Sequence, residues 1–320
     1  MLTLKKLKGE LKYFFSKLRR PIDTKWDEPN AKLDSSIFWV GAHKTGTTYL
    51  QYSLEESKSY ISENGVNYVS LDFFRENYSK LLNKKNHVIS KPHIYTENKI
   101  EKLLIFDENI GAQLKNVIKR RKNYPDLAQR TKIVSSYFQT NPNIIVFGIR
   151  SLDNFLPSLY SEYLQFTRDY VPFRHFLANG LSTKPDAIFP AILKLRWSDV
   201  LLSLSKAKIG KKLLVYQQEK LAGRERNLLS AVIGIPAAEF TIPQDHKRQR
   251  KLSAKASAKL ESMNYPQKID IMQIMAQYPA GPIHPAFDPW SQKERDALRS
   301  AYSQDLKRIQ SIPRVEIADL

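Results

Sequence analysis

The chain has no cysteine among its 320 residues, which excludes disulfides, thiolate catalysis and cysteine-based zinc or iron–sulfur sites. No run of apolar residues is long enough to span a bilayer. Internal repeats and low-complexity tracts are missing. The six histidines are scattered, with no HExxH pair and no carboxylate spacing that would build a metal site or a nucleophilic triad. Acidic residues are in deficit, 32 against 51 Lys and Arg, for a formal charge of +19. That surplus attracts polyanions of any kind, including nucleic acid, anionic membrane, phosphorylated nucleotide and acidic polysaccharide, without choosing among them. A cysteine-free chain with no spanning segment reads as a cytoplasmic, bacterial protein.

What is present is an ordinary globular composition, 42% hydrophobic and 11% aromatic, enough to bury a sizeable core. One domain over residues 35–320 with helical insertions is the expectation, preceded by a basic helix and linker over 1–34. The opening stretch MLTLKKLKGELKYFFSKLRR starts like a signal peptide, but charges interrupt it before an apolar core develops. Its Leu2, Leu4, Leu7, Leu11, Phe14, Phe15 and Leu18 recur at helical spacing between lysines. Such a helix suits the surface of an anionic inner membrane, or a frayed or partner-packed end. Nothing in the chain sets an oligomeric state.

Ser36-Ile-Phe-Trp-Val40 is a short apolar run, followed after a loop by a helical pattern through Tyr49, Leu50 and Leu54. Lys102 to Phe106, Asn143 to Ile149 and Lys212 to Tyr216 read as further buried strands. Helices are expected from Asp126 to Gln139, from Pro190 to Ser205, and after Arg150 and Glu219. Ser291 and Glu294 form a capping box for a last helix to about Ile309. Strands alternating with helices predict an α/β fold, a P-loop-like parallel sheet covered by helices on both faces.

Gly41-Ala-His-Lys-Thr-Gly-Thr-Thr48 lies between the first strand and its helix, where backbone N–H groups and the helix dipole favour a phosphate. Gly41 and Gly46 let the backbone bend close to a ligand, Lys44 brings a positive charge, and Thr45, Thr47 and Thr48 bring hydroxyls. A Walker A loop places its lysine after the second glycine; here Lys44 precedes Gly46. A hundred residues on, Arg150 ends an apolar strand and Ser158 follows eight residues later in a helical stretch. An arginine and a serine so spaced can converge on one phosphate.

At these two windows the chain resembles the PAPS-dependent sulfotransferases (PAPS is 3′-phosphoadenosine 5′-phosphosulfate), in particular bacterial HKTGTT-type members related to enzymes acting on carbohydrates. The resemblance covers residues 36–235 in organisation. It implies a sulfotransferase domain over 35–320, with PAPS as co-substrate and no metal. By the same resemblance Gly41, Lys44, Thr45, Gly46, Thr47 and Thr48 would hold the 5′-phosphosulfate, and Arg150 and Ser158 the 3′-phosphate. The acceptor would be a carbohydrate or polysaccharide, with no nucleic acid expected.

Transfer needs a base for the acceptor proton and a positive charge for the leaving phosphate; Lys44 suits the second task. Glu108, at the carboxyl end of the Leu103–Phe106 strand, is the first candidate base. A glutamate base occurs in several carbohydrate sulfotransferases, and His43 is the second candidate. The chain departs from the phenol and steroid sulfotransferases in two places. No histidine stands in the LLIFDENI stretch, and HKRQRKLSAKASAKL holds no glycine, so Lys247, Arg248 and Arg250 would have to complete the 3′-phosphate contacts, bind an acidic acceptor, or be merely solvated. Tyr160, Tyr163 and Trp197 offer rings for an adenine or a sugar, or for the core. Two other classes compete: a magnesium-dependent phosphoryl transferase of the P-loop kind, and a non-catalytic polyanion-binding protein.

Overall fold

Four strands carry apolar side chains on both faces, which is possible only in the middle of a sheet covered twice. They are β1 (Ser35–Trp39), β3 (Lys102–Phe106), β6 (Ile144–Ile149) and β7 (Lys212–Gln217). With β2 (Val66–Val69) and β8 (Val315–Ile317) at the edges they form a six-stranded sheet in the order β2-β3-β1-β6-β7-β8. Every pairing in it is parallel. The computed structural model describes residues 35–77, 82, 102–138, 140–184, 187–243, 251–263 and 266–320. The basic segment 1–34, and Lys247, Arg248 and Arg250, lie outside the described residues.

Side chains alternate between two cores with the period of a strand. Phe38, Ile105, Phe147 and Val215 enter one; Trp39, Phe106, Val146 and Tyr216 enter the other. The second core is closed by α1 (Thr47–Glu56) and α2 (Lys58–Glu63) through Leu50, Leu54 and Ile61, and by Leu228, Leu229 and Val232 of a helix at Glu225–Ile233. The first, larger core lies under the remaining long helices. Both faces are therefore covered, and the α/β class expected from the alternation is the one found. No described helix is long and apolar enough to cross a membrane.

From β1 the chain crosses to β2 on one side of the sheet, and from its neighbour β6 to β7 on the other, so the carboxyl ends of β1 and β6 form a topological switch point. Open α/β sheets bind ligands in the crevice at such a point. The loop 40–46 leaves β1 there.

Four elements differ from expectation. β2 and β8 are too short, and β8 too exposed, to announce themselves by periodicity. A hairpin of β4 (Ile118–Lys119) and β5 (Lys122–Asn123) occupies a stretch that reads only as basic. The helix expected from Pro190 to Ser205 is two, Ile188–Ile192 and Trp197–Lys206. The second starts afresh because Asp305, distant in sequence, accepts from the N–H groups of Trp197 (2.7 Å) and Ser198 (3.2 Å) and so caps it. Asp305 belongs to the last helix, Gln292–Gln310, which opens on the capping box of Ser291 and Glu294.

Candidate functional site

The loop is built before any ligand arrives. Its first residues still pair with β6, Val40 N–H to the Val146 carbonyl at 3.1 Å and Ala42 N–H to Gly148 at 3.2 Å. The chain then turns through Lys44 (φ +61°) and Gly46 (φ +89°) into the first turn of α1. Left-handed backbone at a lysine costs about 1–2 kcal/mol. The cost is met locally: the Thr45 hydroxyl donates to the Ala42 carbonyl at 2.6 Å and lies 3.1 Å from the Tyr216 hydroxyl, which donates to the Thr45 carbonyl at 3.2 Å. Glycine suits position 46 because its φ of +89° strains any side chain, and a Cβ would in addition come within 2.7 Å of the Leu221 Cδ2, which would have to shift. Thr47 is buried and Thr48 half-buried in the turn where a helix leaves its N–H groups unsatisfied.

Gly148 matters as much as the loop glycines. A Cβ there would meet the Thr45 hydroxyl and the Tyr216 ring, each at 2.5 Å. Gly148→Ala is expected to lower stability by about 2–3 kcal/mol in urea unfolding, because neither obstacle is a flexible chain end.

Arg150 joins the loop to the next helix. Its Nη1 donates to the Lys44 carbonyl at 3.0 Å and to the Ser158 hydroxyl at 3.2 Å. Its Nε is buried with no hydrogen-bond partner. Burial lowers its pKa, with Glu219 and Asp153 opposing, yet a guanidinium keeps its charge. Ser158 and Glu162 stand one turn apart on α5, the helix Leu152–Phe166. Pro157 in that helix cannot donate to the Asp153 carbonyl, and the Trp290 indole does so instead at 2.9 Å, so the helix is sustained.

Glu162 completes the cluster: its carboxylate lies 3.6 Å from the Lys44 ammonium. Burial lowers the Lys44 pKa from the ordinary lysine value, and Glu162 pulls it part of the way back.

On the other side of the loop stands the carboxyl end of β3. Glu108 is 8% exposed. Gln51 of α1 donates to one of its oxygens at 3.0 Å and Arg75 to the other at 3.2 Å. Arg75 also grips fully buried Asp107 through two bonds, at 2.9 and 3.2 Å. Asp107 in turn accepts from the Asn109 N–H at 2.9 Å, fixing the turn that presents Glu108. Burial raises the Asp107 pKa, against the pull of Arg75.

His43 is placed differently from an exposed base. The Tyr124 hydroxyl accepts from the His43 N–H at 2.7 Å and lies 2.9 Å from Nδ1. Burial pushes the tyrosine pKa well up, so the hydroxyl keeps its proton and can donate it to Nδ1. Burial also lowers the histidine pKa. The arrangement that satisfies every group is a neutral imidazole with its proton on Nε2, a tautomer assigned from the bonding. In that state His43 ties the loop to Tyr124 and has no free nitrogen lone pair for an acceptor proton.

Of the residues expected at the site, Gly41, Lys44, Thr45, Gly46, Thr47, Thr48, Arg150 and Ser158 gather at the switch point, with His43 and Glu108 beside them. Tyr160 and Trp197 do not serve as open rings: both are buried, the tyrosine bonded to the Val171 carbonyl and the indole to that of Arg150. Sequence reasoning missed Glu162 and Gln51, although a signal was available: each stands four residues after a site residue, Ser158 and Thr47, on one helix face. Arg75 and Tyr124 reach in from separate elements and carry no local signal. Among the described residues, no group of three or more His, Asp and Glu side chains is placed to hold a metal ion.

No family model matches the chain, and no curated protein matches it. A solved structure from a study of the PezAT chromosomal toxin–antitoxin system of Streptococcus pneumoniae aligns over 97% of this chain and 99% of that one, at 11% identity and a TM-score of 0.24. A score that low carries no argument about fold or function.

Proposed function

We propose that the protein is a nucleotide-dependent group-transfer enzyme working at the carboxyl end of β1. More narrowly, it is a sulfotransferase that takes the sulfuryl group of PAPS and passes it to a carbohydrate hydroxyl or amine. The observation that carries this reading is the Arg150 guanidinium, bonded at once to Ser158 and to the Lys44 carbonyl while its buried Nε has no partner. A buried cationic donor with a hydroxyl beside it is suited to a phosphate. The second phosphate-binding element, the loop, is tied directly to it, as a nucleotide with phosphates at both its 3′ and 5′ positions requires.

In this reading the loop N–H groups and the Thr47 and Thr48 hydroxyls hold the 5′-phosphosulfate. Lys44 offsets the negative charge that grows on the leaving phosphate. Glu108 accepts the proton of the attacking group as the new bond to sulfur forms and the bridging sulfur–oxygen bond breaks. His43 keeps the loop in place. A chain without disulfides has no need of an oxidising compartment, which supports a cytoplasmic location. The segment 1–34 would add contact with an anionic inner membrane.

Calorimetric titration with the product nucleotide, adenosine 3′,5′-bisphosphate (PAP), tests the donor. Losing a charge-assisted bond to phosphate weakens binding by about 2–3 kcal/mol, so Arg150→Ala should cost PAP about 30–150-fold and leave the weak binding of 5′-AMP unchanged. Equal binding of both nucleotides by the wild type would remove the sulfotransferase reading. Turnover abolished by a chelator would replace it with metal-dependent phosphoryl transfer.

A further inference from the structure

The β4–β5 hairpin breaks two local rules at once. Its two-residue turn is Arg120-Arg121, both left-handed (φ +54° and +62°), where asparagine and glycine are the residues that sit without strain. It also places four cations in a row, Lys119 to Lys122, with Arg120, Arg121 and Lys122 exposed. Nothing in folding favours either choice, and such departures mark functional positions.

The hairpin is nonetheless rigidly seated. Its stem closes through the Tyr124 N–H to the Val117 carbonyl at 2.7 Å. Its flank packs on the helix Phe173–Leu181 so tightly that a Cβ on Gly180 would come within 2.9 Å of the Ile118 carbonyl. Between the turn and the end of that helix lies a concavity of about 560 Å³ lined by Arg121, Asn179, Ser182, Thr183 and Lys184, with alanine methyls as its apolar wall. Asn123, paired across the hairpin with Ile118 and so on the face that packs against this helix, is 5% exposed. Neither atom of its amide has a hydrogen-bond partner. Asn123 is not among the residues that line the concavity, so its amide belongs to the packed side of the hairpin.

We infer that the concavity beside the Arg120–Arg121 turn binds an acidic saccharide, a uronate- or sulfate-bearing segment of the acceptor; the link to an acceptor rests on the sulfotransferase reading above. The lining matches that chemistry. Arg121 and Lys184 meet carboxylate or sulfate, and Asn179, Ser182 and Thr183 meet ring hydroxyls. Among the described lining residues there is no aromatic side chain to stack a base, as single-stranded nucleic acid demands, and no large apolar side chain to enter a membrane. The turn lies within about 10 Å along the strand of Tyr124, which holds His43 in the transfer loop. A short oligosaccharide covers that span.

The test uses the double variant Arg120→Asn, Arg121→Gly, which removes both charges while giving the turn residues that favour it. Four probes are titrated into wild type and variant: a hexasaccharide of alternating glucuronate and N-acetylglucosamine, a neutral N-acetylglucosamine hexamer, a single-stranded oligonucleotide, and phosphatidylserine vesicles. The wild type should prefer the acidic hexasaccharide to every other probe. The variant should bind it at least about tenfold more weakly, with a melting temperature equal or higher and PAP affinity unchanged. Undiminished hexasaccharide binding by the variant overturns the inference, as does oligonucleotide or vesicle binding as tight as that of the hexasaccharide. Because PAP is titrated separately, a wild type that binds the hexasaccharide and not PAP sinks the donor reading and leaves this site standing.

Discussion

On the group-transfer reading, Lys44→Met is expected to lower turnover by about a thousandfold, the scale on which a single group stabilising transition-state charge acts, without unfolding the protein. Burial lowers the Lys44 pKa, so between that lowered value and the ordinary one the unfolded chain binds more protons than the folded one. Stability therefore rises with pH across that window, which means that at neutral pH holding the cation in place is a cost to the fold. A neutral side chain of similar length relieves it. The opposing loss is the pair with Glu162, 3.6 Å away with both side chains only 15% exposed, which leaves that carboxylate without its partner. The two effects oppose each other, so the thermal midpoint of Lys44→Met should stay within a few degrees of the wild type while activity collapses.

On the same reading the lowered pKa should set the alkaline limb of the pH–rate profile. Activity that depends on the ammonium should decline as it deprotonates, at lower pH than an exposed lysine would. The profile of kcat/KM reports the free enzyme and that of kcat the complex, in which donor phosphates hold the proton on Lys44. The limb should lie at lower pH in kcat/KM than in kcat, and Lys44→Arg, which stays charged, should abolish it. Identical limbs in wild type and Lys44→Arg would show that another group titrates.

Much of this site could be read from residue order because its parts are local. A strand, a loop with Gly41 and Gly46, and a helix specify the cradle by themselves, and the Arg150–Ser158 pair needs only the spacing of one strand end and one helix. The sheet was legible where strands are long and apolar on both faces, as in β6, and illegible where three residues of β8 pair at an edge. What escaped depends on long-range placement. Gln51 and Arg75 meet Glu108 from two different helices, Tyr124 reaches His43 from beyond the hairpin, and Asp305 breaks a helix a hundred residues earlier in the chain. Each is a polar residue answering a buried partner that the linear sequence does not name.

Glu108→Gln should reduce turnover by a hundredfold to ten-thousandfold, the usual contribution of a positioned base, with PAP affinity changed by less than about twofold. The geometry argues for this residue over its neighbours. Each Glu108 oxygen receives one donor, from Gln51 and Arg75, and a carboxylate has about four lone-pair sites, so acceptor capacity remains for a hydroxyl proton. Those two bonds also stop the side chain from turning away. Glu162 is the rival carboxylate, and its partner is Lys44 itself; Glu162→Gln should weaken the hold on the ammonium and move the alkaline limb to lower pH while sparing most of the turnover. The two variants therefore separate the roles. Loss of turnover with an unmoved limb belongs to a base, and a moved limb with retained turnover belongs to a residue that tunes the lysine. Were Glu162→Gln the silent enzyme and Glu108→Gln the active one, the proton would leave toward α5, and Glu108, with Arg75 and Asp107, would be part of the wall that fixes the end of β3.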